Sequence, residues 1–325
     1  MASFPLISKY TDALMREFKS THDKYEAQRN SAPILEDICQ KPVFITESIR
    51  HHISTPGALD RLHYPVLSFD LGLNPYFGLI INIWVPLPNG DTQMSTKAIH
   101  HHGDMLLSSG ALFGPGYAHW TFTEPEIMDE AKNLYHMKLV GNAVHTQGEV
   151  VFVGDRVPHC PFFPPSLSLT LALWSSRHPS TWKDTVKRLP PFKGREKFFR
   201  KIAVNLGIAN ALELKVVRDF DFYPEGEGFH SIPEREEFTL GPNMNYLQSF
   251  FHTVQESGND SLAPELQALL DKGWVKDRET FQRLLDDLKS GRAIPAKLSD
   301  MHTNVHGFNF TSKDVESALA SCKKN

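Results

Sequence analysis

Between Tyr64 and about Arg177 the chain is cut into short apolar runs, VLSFDLGL, FGLIINIWVPLP, GDMLLSSGALFG, HMKLVGNAVH, GEVVFV and LSLTLALW, separated by Pro, Gly, Asn and Asp. Runs of this length between turn formers predict strands, so the central portion is expected to be all-β. In LSLTLALW the alternation is explicit. Leu167, Leu169, Leu171 and Leu173 fall on one face, and Ser168, Thr170, Ala172 and Trp174 on the other. A strand with one aliphatic and one mixed face suits the wall of a barrel or sandwich.

The flanks read differently. From Leu6 to about Asn30, Ile7, Tyr10, Leu14, Phe18 and Tyr25 recur at helical spacing, which predicts one amphipathic helix packed on the main body. The basic, proline-containing stretch from Trp182 to Lys201 reads as a surface connection, and ALELKVVRDFDFYP after it as one added strand. Beyond Gly241 the pattern is helical. ELQALLDKGW stops at Gly273, TFQRLLDDLKSG stops at Gly291, and Thr311 with Asp314 offers a helix start for TSKDVESALA.

Composition excludes partner classes more than it selects them. The 325 residues carry 34 basic against 38 acidic groups, a net charge of −4, so neither nucleic acid nor an anionic membrane surface is expected as a partner. Cys39, Cys160 and Cys322 lie far apart with no CxxC, which argues against a thiolate zinc site and fits a reducing compartment. The N-terminal stretch shows no basic segment followed by a long apolar run, and the expected localisation is cytoplasmic. No phosphate loop or GxSxG elbow is present, so acyl and phosphoryl transfer lack support.

The chemistry concentrates in AIHHHGD, Ala98 to Asp104. In an extended segment His100 and His102 share one face and His101 the other, so an HxH pair can chelate a metal while His101 cannot join it. The plain alternative is an exposed, histidine-rich turn. A third ligand comes from GEVVFVGDRVPHC, where His159 follows a turn at the start of a strand; Cys160, its neighbour, points the other way and reads as a small buried residue. Asp104 competes with His100 for the third position, because His102, Asp104 and His159 make a two-histidine, one-carboxylate set; by itself Asp104 also suits a turn cap. His145, fourteen residues before His159, reads as a second-layer donor or a core histidine.

The pair His100 and His102, with the strand, turn and Pro158-His159 of the second segment, resembles the cupin superfamily, over about a third of the chain. Where many cupins carry a glutamate four or five residues past the pair, Leu106 and Leu107 stand here, leaving three neutral imidazoles. The segment HHHGDMLLSSGALFG is similar to the first motif of the thiol dioxygenase branch, which uses a three-histidine iron site. The resemblance implies a mainly β fold: a cupin-type double-stranded β-helix barrel at 61–180, with an N-terminal helical extension at 1–60, a linker and added strand at 181–240, and a C-terminal helical extension at 241–325. It also implies Fe(II) held by His100, His102 and His159, and a dioxygenase or oxygenase that brings O₂ to a small metal-chelating substrate. Three neutral ligands leave the ion's charge uncompensated and favour an anionic chelate.

The second assignment resembles 2-oxoglutarate-dependent oxygenases of the double-stranded β-helix type, with His102, Asp104 and His159 as ligands. Their distal-carboxylate arginine has no counterpart ten residues past His159, where Leu169 stands; Lys97 or a hydroxyl would have to serve. A third reading is a non-catalytic, ligand-binding cupin. Arg156 is the candidate for a substrate carboxylate, and Tyr117, Trp120, Phe152 and Trp174 are candidates for an aromatic substrate pocket. His119 and His136 find no partner by sequence spacing and are set aside as surface or hydrogen-bonded residues. The helical additions suit a larger substrate or a homodimer interface.

Overall fold

In the computed structural model, residues 4–60, 67–87, 89–103, 105–175, 221–232, 245–297 and 310–321 are described. Asp104, the 182–201 connection and residues 211–220 of the added-strand segment lie outside them.

The expected single N-terminal helix is two. Helix α1 spans Pro5–Ser20 and buries Ile7, Tyr10, Leu14 and Phe18, as the spacing predicts. The chain then breaks, and α2, Lys24–Cys39, starts afresh under a cap in which the Asp23 carboxylate accepts from the Tyr25 N–H at 2.8 Å. Tyr25, which continued the periodicity of α1, therefore leaves the core: it is exposed and hydrogen-bonds Asp155. A third helix, α3 at Val43–Ile53, follows.

The β portion contains β1 (Leu67–Leu73), β2 (Phe77–Trp84), β3 (Leu106–Phe113), β4 (Tyr117–Phe122), β5 (Glu126–Asp129), β6 (Leu134–His136), β7 (Leu139–His145), β8 (Val150–Val153), β9 (His159–Pro161) and β10 (Ser168–Ser175). Two further strands, β11 (Asp221–Glu225) and β12 (Gly228–Ile232), complete the set. One sheet runs β1-β2-β10-β3-β8 and a second β7-β4-β9. The segment through 95–100 bridges to β9's neighbourhood at Ser95 with Phe162 and His100 with His159. The pairings are nested: β4 with β7, β3 with β8, the 95–100 segment with β9, β2 with β10. This is one long antiparallel hairpin wound so that successive stretches alternate between two facing sheets, a double-stranded β-helix of cupin type with helices at both ends.

Alternation along β10 sets inside and outside. Leu169, Leu171 and Leu173 are fully buried on the outer face, in a core shared with α1–α3 and the C-terminal helices. Those helices are α4 (Asn245–Glu256), α5 (Ala263–Asp271) and α6 (Arg278–Ser290); the last helix, α7 (Ser312–Ser321), packs elsewhere. Phe250, Phe251, Phe281 and Leu285 lie in the same core as Leu14, Ile49 and Phe69, so the two ends of the chain form one helical layer over one sheet. Gly291 caps α6 in the left-handed conformation, and Thr311 and Asp314 exchange side chain-to-backbone hydrogen bonds of 3.3 and 2.7 Å at the start of α7. A small sheet, β11-β12-β6-β5, and α7 cover the outer face of the second sheet around Phe122, Phe162, Phe222 and Phe229. Strands β5 and β6 have no counterpart in the sequence reading. No helix among the described residues is long and apolar enough to cross a membrane.

Candidate metal centre

His100 and His159 face one another across the two strands. The His100 N–H donates to the His159 carbonyl at 3.0 Å and the His159 N–H donates back at 2.8 Å. Directly opposed residues in an antiparallel pair project to the same side, here the barrel interior. His102 follows two residues later, just before the Gly103 turn, whose carbonyl accepts the Arg156 N–H at 2.8 Å. One potential ligand atom from each of His100, His102 and His159 lies within 4.8 Å of the others. His101 is turned aside as alternation requires, its Nδ1 accepting the Gly103 N–H at 3.0 Å.

The hydrogen bonds select the ring nitrogens. His100 Nδ1 lies 2.9 Å from the Ala98 carbonyl and His159 Nδ1 lies 3.0 Å from the Val157 carbonyl. A carbonyl only accepts, so both Nδ1 atoms carry the proton and both Nε2 atoms keep a lone pair, the arrangement that outer partners impose on metal-binding histidines. His102 Nε2 stands 2.9 Å from His159 Nε2. Two nitrogens each about 2.1 Å from one ion, at a right angle, are about 3 Å apart. The His100 Nε2 is buried and has no hydrogen-bond partner. A buried lone pair without a partner costs about 1–3 kcal/mol, and a cation among the three rings would remove that cost. The three residues thus fit a divalent transition-metal ion.

Electrostatics point the same way. Burial pushes the His102 imidazole down to about 2 and His119 to about 3, and holds His100 and His159 well below the ordinary histidine range. The Lys97 ammonium adds to the effect on all four rings, and no carboxylate among the described residues offsets it. All are neutral near pH 7, the protonation state that metal ligation needs.

The other expected residues separate. Trp174 sits against the site, its ring centroid 4.2 Å from that of His102 and roughly perpendicular. Tyr117 lines the barrel deeper in, packed on Trp84 at 4.4 Å, while Trp84 Nε1 donates to Thr170 Oγ1 at 2.9 Å. His145 lies beside Tyr117, and its Nε2 bonds the Ser109 carbonyl at 2.7 Å. It supports no ligand ring; the Ala98 and Val157 carbonyls do that instead. Two aromatic assignments are corrected by strand parity. Trp120 alternates with the inward Tyr117 and His119, so it points outward onto Phe162. Phe152 pairs with Ser108 on the outer face, is 44 % exposed and packs near Tyr25 of α2. Arg156 holds the turn through its backbone, at φ 56°.

His119, set aside in the sequence reading, belongs to the interior. It sits opposite Pro161 on β4, two residues from Thr121, which pairs with His159; its ring centroid is 5.1 Å from that of His159. The alternation Tyr117, His119, Thr121 was the available signal, hidden by the glycines of GPGYAHW. Gly114 and Gly116 have positive φ and form the turn before β4, which begins only at Tyr117.

No family model and no curated protein matches the chain. Among solved structures it resembles an RmlC-like cupin from Shewanella frigidimarina (14% identity, 36% of this chain, 80% of that one, TM-score 0.24). It also resembles a double-stranded β-helix protein from Klebsiella pneumoniae (8% identity, 39% and 86%, TM-score 0.24). A structure of the DMSP lyases RdDddP and RnDddQII matches at 18% identity and TM-score 0.24, over 34% of this chain and only 46% of that one. Likeness at these scores carries no weight for activity; the fold assignment rests on the strand order.

Proposed function

We propose that the protein is a metal-dependent oxygenase in which His100, His102 and His159 hold Fe(II) and present it to a small, anionic, chelating substrate. The observation that carries this reading is the buried, partnerless Nε2 of His100, converging on the same point as His102 and His159. Bound iron would supply a Lewis-acidic centre at which substrate and O₂ meet. The chain's own residues do the rest. The Ala98 and Val157 carbonyls fix the tautomers of His100 and His159. Trp174 restrains the His102 ring and shields it from water. Lys97 keeps the local potential positive, which together with three uncharged ligands favours an anion.

The reading is tested by anaerobic Fe(II) titration of the full chain, followed by O₂ uptake with and without 2-oxoglutarate. Stoichiometric iron binding that is lost in His100→Ala and kept in Asp104→Ala is the expected result. The reverse pattern, with uptake that requires 2-oxoglutarate, would move the assignment to His102, Asp104 and His159. Failure to bind any first-row divalent metal would remove the enzymatic reading altogether.

A further inference from the structure

The other histidines of the barrel interior are accounted for: His100, His159 and His145 each have a ring nitrogen at a backbone carbonyl, of Ala98, Val157 and Ser109, and His102 Nε2 stands with His159 Nε2 in the candidate metal site. His119 is the exception. It is 8 % exposed, and among the described residues no hydrogen bond reaches either of its ring nitrogens. Neither nitrogen is among the fully enclosed polar atoms without a partner, so the ring borders open space in the barrel, and an imidazole in that place calls for a reason. Packing does not provide one, since a leucine or phenylalanine would fill the same space.

Its position does provide one. On β4, His119 projects to the same face as Tyr117, which packs on Trp84, itself hydrogen-bonded to Thr170. The ring lies 5.1 Å from His159 and 6.2 Å from Tyr117, between the three-histidine group and the Tyr117–Trp84 aromatic pair. A ligand that coordinates the metal from the barrel interior would meet His119 next. With Lys97 making the surroundings positive, the ring's favoured contribution there is an N–H donor to a negatively charged acceptor.

We propose that His119 is a substrate-binding residue, donating a hydrogen bond to the part of an anionic chelate that is not coordinated. The substrate class is then narrowed to compact anions with at least one acceptor atom beyond the two that bind the metal, as in a dicarboxylate or a carboxylate bearing a further oxygen. This inference rests on the three-histidine metal reading given above.

The test separates the two. The full chain is loaded with Co(II), whose d–d absorption reports coordination, and titrated anaerobically with oxalate, which can chelate through two oxygens and leave two as acceptors. His119→Leu should bind Co(II) within about threefold of the parent protein and lose oxalate affinity tenfold or more, the effect of one charge-assisted hydrogen bond. His119→Gln, which keeps an N–H, should recover most of that loss. His119→Phe provides a second variant without a donor should the leucine protein fold poorly. Unchanged oxalate affinity in the donor-less variants would overturn the assignment, as would parent protein that binds Co(II) but not oxalate. Loss of Co(II) binding in His119→Leu and His119→Gln alike would overturn it too, by making His119 part of the metal site. If the parent protein itself binds no Co(II), it is the metal reading that fails first.

Discussion

Lowering the pH should cost this protein its stability before it costs it its metal affinity. Free histidines titrate near 6.5, so at pH 5.5 each is about 90% protonated, and a site of three such rings would lose roughly a thousandfold in affinity relative to neutral pH. Here burial depresses all three rings, His102 to about 2, so they stay neutral in the folded, metal-free protein at pH 5.5. Protons then do not compete with the metal, and affinity should change by less than about threefold between pH 7.0 and 5.5. The proton affinity appears in folding instead. The unfolded chain takes up protons below about 6.5 while the folded chain does not, so stability is fully present above that value and falls as pH decreases. One unit below 6.5 the loss is about 1.4 kcal/mol for each ring, or roughly 4 kcal/mol for the three. That is a large fraction of the 5–15 kcal/mol typical of a folded protein. The assay pairs Co(II) titration by absorption with urea unfolding of metal-free protein at pH 5.5, 6.0, 6.5 and 7.0. A hundredfold or greater fall in Co(II) affinity over that interval, with unchanged unfolding free energy, would show that the rings are solvated and would refute the reasoning.

Three further outcomes follow from packing and backbone geometry. Gly116 has φ +82°, and a Cβ there would collide with the His145 carbonyl oxygen, so Gly116→Ala should destabilise the protein by more than about 2 kcal/mol in urea unfolding and displace the strand carrying Tyr117 and His119. Leu171 is fully buried between the sheet and the helical layer; Leu171→Ala should cost about 2–5 kcal/mol while leaving metal stoichiometry at one. Trp174→Leu removes the perpendicular ring against His102 and should weaken Co(II) binding by about 10–100-fold in calorimetry, with a much smaller effect on unfolding.

The strand period is a local property, dictated by the pleat, and it is legible without a structure. It assigned Leu169, Leu171 and Leu173 to one face of β10, separated His101 from its neighbours, and turned Cys160 away from the site. Period-two reasoning could not say which face of an isolated run is the inner one. Phe152 shows this: β8 alternates as expected, but its pairing with β3 places Phe152 outside, toward α2. Trp120 and His119 are neighbours on one strand, and the same ambiguity exchanged their roles. A helical period likewise continued past Ser20 in the sequence, although the Asp23 cap starts a second helix there.

By itself, then, the sequence determined the alternation, the turn positions, the helical ends and the pairing of an HxH motif with a later histidine. Each of these depends on residues close together in the chain. Tertiary structure alone decided which sheet face is the interior, that α1–α3 and α4–α6 from opposite ends of the chain form a single layer, and that His119 joins the histidine group. Those depend on register between strands dozens of residues apart, such as His100 with His159, and a shift of one residue would send every one of these side chains to the opposite face.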